Sequence, residues 1–293
     1  GLTVLGVLAK PLDIDALVAL LNREERKAGP AAPSTVADVR APLERALAEG
    51  TLGVHFQPKV RVDDLGFAGA EALLAGSLPG VPHAPPPTIL DAARALPNGL
   101  VRLTDAVLRQ AVAACRTWTE AGARGAVSVN LPLEALLAPD AVANFVDIAR
   151  EAGVPTSMVT FELLEDAVYD SSAEPLGVLT KLRIAGFGLA LDDVGQRQSG
   201  LLQLANLPVT EIKIDLEIVR QARTFEKARG IFDSLAALGR RLGIRVCAEG
   251  VETEADLQFV RQHPVDYLQG YVVSRKRPLD DLLQWLANRP EDC

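Results

Sequence analysis

Seven short apolar runs along the chain each end at or beside a residue suited to cation chemistry. They carry Glu71 in AGAEALL, Asn130 in AVSVNLP, Glu162 in MVTFELLED and Asp192–Asp193 in GLALDDVG, followed by Lys213 in TEIKIDLE, Glu249 in RVCAEGVE and Gln269 in VDYLQGY. An acid buried without a partner costs several kcal/mol, so a core does not collect acids at strand ends unless something positive meets them there. If the runs are parallel strands of one closed barrel, all these ends share one rim, and that rim is an oxygen-rich cation site.

The segments between the runs are helical in pattern. VRAPLERALAEG, LVRLTDAVLRQAVAACRTWTEAG, VANFVDIAREAG, PLGVLTKLRIAG, FEKARGIFDSLAALGRRLG, EADLQFVRQH and LDDLLQWLANR alternate with the runs and with one further strand, LGVHFQPKV. Gly50, Gly122, Gly153, Gly186 and Gly243 stand where a helix C-terminus needs a left-handed residue. About eight strands alternating with helices over roughly 250 residues predict a (β/α)8 barrel, with a doubly wound open sheet as the alternative. No glycine-rich dinucleotide or Walker fingerprint follows any strand, which disfavours a nucleotide-cofactor domain.

Three segments are expected. Residues 1–27 hold an apolar strand stopped at Lys10-Pro11 and an amphipathic helix. Residues 28–37, rich in small residues and proline, read as a linker, and residues 38–293 form the barrel. The net charge of −8 argues against a broad DNA surface but leaves room for a few local cations on a small phosphate ligand. Neither a transmembrane run nor a secretion signal is apparent, so no membrane association is expected. Cys115, Cys247 and Cys293 are isolated, which suits a reducing, cytoplasmic compartment. His55, His83 and His263 are too scattered for zinc. Any metal should be a hard ion held by oxygen.

FQPKV, EALL, VNLP, FELLED, LDDVG, KID, AEGVET and QGY occur in this order, each on a strand-like segment. As an ordered set they resemble the EAL domain family, bacterial phosphodiesterases that linearise cyclic di-GMP. The resemblance covers about residues 38–290. It implies a TIM-like barrel with one antiparallel strand, and hydrolysis of cyclic di-GMP to pGpG with two Mg²⁺ or Mn²⁺ ions, Ca²⁺ being inhibitory. It also implies a set of roles. Glu71, Asn130, Glu162, Asp192, Asp193 and Glu249 would be metal ligands. Lys213 would orient the attacking water, Glu249 and Glu252 would be the acids of E-G-V-E, and Glu165 would hold the loop after Asp193. Gln57 and Gln269 would contact substrate, and a homodimer is common in the family. Residues 1–27 resemble the last strand, Lys-Pro turn and final helix of a response-regulator receiver domain. With a first residue other than Met, they suggest a fragment of a receiver–EAL protein.

Two departures stand out. The family's Leu-Arg-Trp after E-A-L reads Leu74-Ala75-Gly76, which removes a charge-assisted phosphate contact worth about 1.5–3 kcal/mol. In the loop after Asp193 a glycine is replaced by Arg197, at a cost of about 1–2 kcal/mol if that position needs positive φ. Both point to reduced activity, or to a module that binds cyclic di-GMP or a protein partner without hydrolysis. A metal-dependent barrel of another kind, such as an enolase-like lyase, is a third possibility that the ordered motifs argue against. Residue by residue, Asp215 and Glu254 read as capping or surface acids, Glu252 reads equally as a helix N-terminal acid, and His55 has no evident partner.

Overall fold

The computed structural model describes residues 34–164, 173–195, 204 and 206–289. The strand and helix expected over residues 1–27, together with Glu165, Arg197 and Cys293, lie outside the described residues.

Eight strands close a barrel in sequence order. They are β1 (Val54–Arg61), β2 (Phe67–Leu74), β3 (Ala126–Asn130), β4 (Val159–Leu164), β5 (Gly188–Val194), β6 (Glu211–Ile214), β7 (Arg245–Ala248) and β8 (Tyr267–Gln269). Strand β1 runs antiparallel to both neighbours, β2 and β8, and every other pairing is parallel. The expected barrel with one reversed strand is therefore the fold, and the open sheet is excluded.

The helices are α1 (Val36–Glu49), α2 (Pro86–Arg94), α3 (Gly99–Glu120), α4 (Leu133–Leu136), α5 (Ala141–Glu151), α6 (Ala173–Ile184), α7 (Leu216–Ala222), α8 (Glu226–Leu242), α9 (Glu254–Val260) and α10 (Leu279–Ala287). Helix α1 starts at a capping box, in which Thr35 and Asp38 satisfy each other's backbone N–H. It buries Val39, Leu43 and Ala46, one stripe at helical spacing, and ends on Gly50 in the left-handed region. Helix α3 lays a continuous apolar face on β1–β3. Its Trp118 meets Phe56 and Phe67 edge-on, with ring centroids 6.0 and 5.8 Å apart, and donates from Nε1 to the Gly125 carbonyl at 2.9 Å. That contact seats the reversed strand against its neighbour. Helices α2, α4 and α7 go beyond the sequence expectation. They are short, and α2 and α4 begin at prolines, whose fixed φ suits a first turn.

The barrel register sets the rim. Gln57 lies opposite Glu71, Asn130 beside Glu162, Leu164 beside Asp192, and Ile214 beside Ala248, with Glu249 the next residue. Two glycines keep the rim tight. Gly250 sits at φ +60, and a Cβ there would come within 2.2 Å of the Leu216 side chain; a Cβ on Gly270 would come within 2.2 Å of the Val251 carbonyl.

Candidate active site

At the centre of the rim stands Lys213, 1% exposed, with four carboxylates around its ammonium. Nζ lies 2.6 Å from Glu162, 2.7 Å from Glu249, and 3.3 Å from both Glu71 and Asp192. Glu71 is held further by neutral donors: Asn130 Nδ2 at 2.9 Å on one oxygen and Gln269 Nε2 at 2.7 Å on the other. Gln269 also reaches Gln57 Oε1 at 3.5 Å, so the amides of β1 and β8 form a chain ending on Glu71.

Asp192 and Asp193 are adjacent on β5, where successive side chains ordinarily face opposite ways. The pairing of β5 with β6 shifts between Leu191 and Val194, and Asp193 takes φ +56. A bulge of this kind re-aims a side chain at the cost of local strain. Here it turns both acids to the same place: Asp192, Asp193 and Glu249 each offer a carboxylate oxygen within 4.8 Å of the others.

Charge in this cluster does not balance. Five acids face one lysine, and the protonation of Glu249, Asp193 and Glu162 reflects it. Burial pushes the Glu249 carboxyl up to about 8; Lys213 opposes this, and Asp192 and Glu71 add to it. Burial, then Asp192 and Asp215, raises Asp193 to about 6. Glu162 is raised well above its ordinary value by burial and by Glu71. Burial also acts on Glu71, but Lys213 and the amides of Gln269 and Asn130 outweigh it and hold that carboxyl low. Lys213 is desolvated, yet Asp192, Glu162, Glu249 and Glu71 together keep it charged. A site that forces several carboxyls toward the neutral form is short of positive charge. Oxygen donors on rigid strand ends are what a hard divalent ion takes, so these residues fit one.

Of the residues singled out in the sequence, Glu71, Asn130, Glu162, Asp192, Asp193, Lys213, Glu249, Gln57 and Gln269 come together here. Glu252 stands apart, in a surface pair with Arg220 at 2.7 Å, just before the Thr253–Asp256 capping box of α9. Asp215 is the N-cap of α7 and accepts from Glu217 N at 2.9 Å; Glu254 lies in the first turn of α9 and accepts from Gln258. Both are capping or helix-end acids, as their positions suggested.

A second ion pair went unread in the sequence. Lys59 and Glu211, both buried, meet at 2.6 Å inside the barrel, and the Lys59 ammonium lies 5.2 Å from the centre of the Tyr267 ring. A period of two was the available signal: Lys59 follows Gln57, and Glu211 precedes Lys213, at strand spacing on the inward face.

The EAL domain family model matches residues 40–276. An uncharacterized signaling protein of Caulobacter vibrioides is 34% identical over 244 residues, 83% of this chain but 30% of that protein. The cyclic di-GMP phosphodiesterase RocR of Pseudomonas aeruginosa is 30% identical over 294 residues, covering 98% of this chain and 74% of RocR. Among solved structures, the PaMucR phosphodiesterase in complex with c-di-GMP superposes with a TM-score of 0.76 at 30% identity, covering 83% of this chain and 98% of that one. The manganese/cy-diGMP complex of Klebsiella pneumoniae BlrP1 at pH 9.0 gives 0.68 at 28% identity, covering 78% of this chain and 56% of that one. Barrel order, reversed first strand, rim residues and family match agree: the chain belongs to the EAL domain family.

Proposed function

We propose that this barrel hydrolyses cyclic di-GMP to linear pGpG as a divalent-metal-dependent phosphodiesterase, with activity lowered by the neutral Ala75. The observation that carries this is the crowding of Glu71, Glu162, Asp192, Asp193 and Glu249 around the single ammonium of Lys213. The relatives support the substrate, since RocR is named a cyclic di-GMP phosphodiesterase and PaMucR was solved with c-di-GMP. The manganese in the BlrP1 complex supports the metal class.

A phosphodiester resists attack because its anionic oxygens repel nucleophiles, and one or two Mg²⁺ or Mn²⁺ ions supply the charge neutralisation and water acidification that overcome this. Glu71, Asn130, Glu162, Asp192, Asp193 and Glu249 would hold those ions. Lys213 donates hydrogen bonds on the inward side of the cluster, where it can orient a water or a phosphate oxygen. Gln269 and Asn130 hold the Glu71 carboxylate in one rotamer, and Gln57 faces the substrate beside them. Glu252 and Glu165 are outer supports in this scheme.

The chain spans less than a third of the Caulobacter relative, so a regulatory context is part of the proposal. We assign residues 1–27 to the end of a receiver domain and residues 28–37 to a linker, the last of which, from the Thr35 N-cap on, already open α1. The reach of the RocR similarity over 98% of the chain supports a shared organisation. A cytoplasmic site and a homodimer complete the reading; no described helix is long and apolar enough to cross a membrane, and the described cysteines, Cys115 and Cys247, are free and buried.

The test is incubation of the protein with cyclic di-GMP and Mg²⁺ or Mn²⁺, with pGpG followed by chromatography. Turnover that falls at least about a hundredfold in Glu71→Ala supports the reading, because loss of a ligand should exceed the effect of losing an outer partner. Ala75 favours a second reading, a receptor that binds without cutting. Tight binding with no pGpG would establish it.

A further inference from the structure

The end of β2 carries no cation of its own, since Leu74 is followed by Ala75, Gly76 and Ser77. A cation nevertheless stands there. Lys276, in the segment between β8 and α10, donates from Nζ to the Leu74 carbonyl at 2.7 Å. That segment is tied to the site at Ser274, whose carbonyl accepts from Gln57 Nε2 at 3.3 Å. Two backbone hydrogen bonds between Phe56 and Arg277, at 2.7 and 3.0 Å, fix it to β1. Arg277 packs over Trp285 outside the barrel. Its neighbour Lys276 sits on the other side, beside His55, whose protonation is disfavoured first by burial and then by the Lys276 charge, with Asp281 opposing, and His55 is two residues from Gln57 on the same face of β1.

The Lys276 ammonium has three donors and meets one carbonyl, with no carboxylate in ion-pair reach among the described residues. The other cations nearby are engaged: Lys213 and Lys59 in buried ion pairs, Arg275 stacked 3.9 Å over the ring centre of the half-exposed Tyr271. Leu74 lies three residues beyond Glu71, about 10 Å along the strand. A group bound at Leu74 is therefore not the one bound at Glu71, and a ligand that meets both places must carry two separate anionic groups.

We propose that Lys276 binds the second phosphodiester of a cyclic dinucleotide whose first lies at the acid cluster, and so supplies from the β8–α10 segment the cation that Ala75 withholds. The assignment rests on the proposed function above. It makes Lys276 a residue that selects cyclic over single-linkage dinucleotides.

The test measures binding by calorimetry with Ca²⁺ present to hold turnover off, using cyclic di-GMP and linear GpG, which has one phosphodiester. Lys276→Met should weaken cyclic di-GMP about tenfold or more and GpG about twofold at most, while Lys276→Arg keeps the affinity within about threefold. Wild-type binding of cyclic di-GMP left unchanged in Lys276→Met would overturn the assignment and leave the proposed function standing. Equal losses for both ligands, or a loss in Lys276→Arg matching that in Lys276→Met, would overturn it as well. A wild type that binds neither ligand would remove the proposed function and the assignment together.

Discussion

Among the described residues the barrel interior holds two buried lysines, and they live in opposite circumstances. Lys59 meets one close acid, Glu211, at 2.6 Å, with Arg245 3.9 Å from the same carboxylate. Lys213, in the layer toward the rim, meets four acids, with Asp193 close by. Burial works against both ammonium groups, and in both the acids win, so both stay charged. The acids themselves differ. Around Lys213 the surplus carboxylates are driven toward protonation, with Glu249 up to about 8 and Asp193 up to about 6. A balanced pair closes a core; an unbalanced cluster waits for a cation. The two lysines thus separate what the barrel needs to fold from what it needs to act.

The largest effect should come from breaking the rim. Lys213→Met removes the hub of the cluster and the donor that orients water or phosphate, and turnover of cyclic di-GMP should fall by about two to four orders of magnitude. Circular dichroism would check that the fold persists, since the Glu162 and Glu249 carboxyls, already driven toward the neutral form, can take up protons once the lysine is gone. Turnover within a factor of a few of wild type would place the chemistry elsewhere.

The lower pair should answer differently. Lys59→Met leaves Glu211 buried with only the long Arg245 contact at 3.9 Å and should cost about 3–5 kcal/mol by denaturant unfolding. The double variant Lys59→Met with Glu211→Leu removes both charges and should recover most of that loss while retaining turnover. A double variant as unstable as the single one, or as inactive as Lys213→Met, would erase the distinction between the layers.

A smaller effect lies in the pH dependence of the metal-free protein. A carboxyl whose folded-state pKa is raised holds its proton more tightly when folded. The stability it gives is complete below its unfolded pKa and is lost as pH rises through the folded one. For Asp193 that window runs from 3.8 to about 6, and for Glu249 from 4.5 to about 8. Glu71, held low, has the opposite sign, and its contribution is lost only below its ordinary range. Between about pH 5.5 and 8.5 the Tm of metal-free protein should therefore fall by a few degrees. Mn²⁺ should raise it more at the alkaline end. A Tm that rises across this range in metal-free buffer would contradict the charge surplus. The same scan on Asp193→Asn should be flatter.

How much of this was legible in the sequence follows from which interactions are local. The rim acids could be read because each closes an apolar strand, and parallel strands bring their ends together without further information. The amphipathic helices and their terminal glycines were legible for the same reason. Lys59 and Glu211 were not, because each alone reads as a solvated charge, and their pairing links positions 152 residues apart across the barrel. The bulge that turns Asp192 and Asp193 to one side leaves no mark in LDDVG, since its cause is the register with β6. Glu252 read two ways, as an acid of E-G-V-E or as a helix N-terminal acid, and it stands in a surface pair with Arg220 just before α9. Lys276 lay hidden because its position depends on the path of a loop, fixed by its hydrogen bonds to β1 rather than by any periodicity.

The proposed chemistry depends first on the surplus of carboxylate around Lys213 being a divalent-cation site. Calorimetric titration of the metal-free protein with Mn²⁺ near pH 7, repeated in two buffers of different ionisation enthalpy, measures affinity and proton release together. Binding should be saturable and release about one proton or more, chiefly from Glu249, whose carboxyl is pushed up to about 8, and it should be lost in Asp192→Asn with Asp193→Asn. Absence of binding, or binding that releases no proton and survives those substitutions, would contradict it.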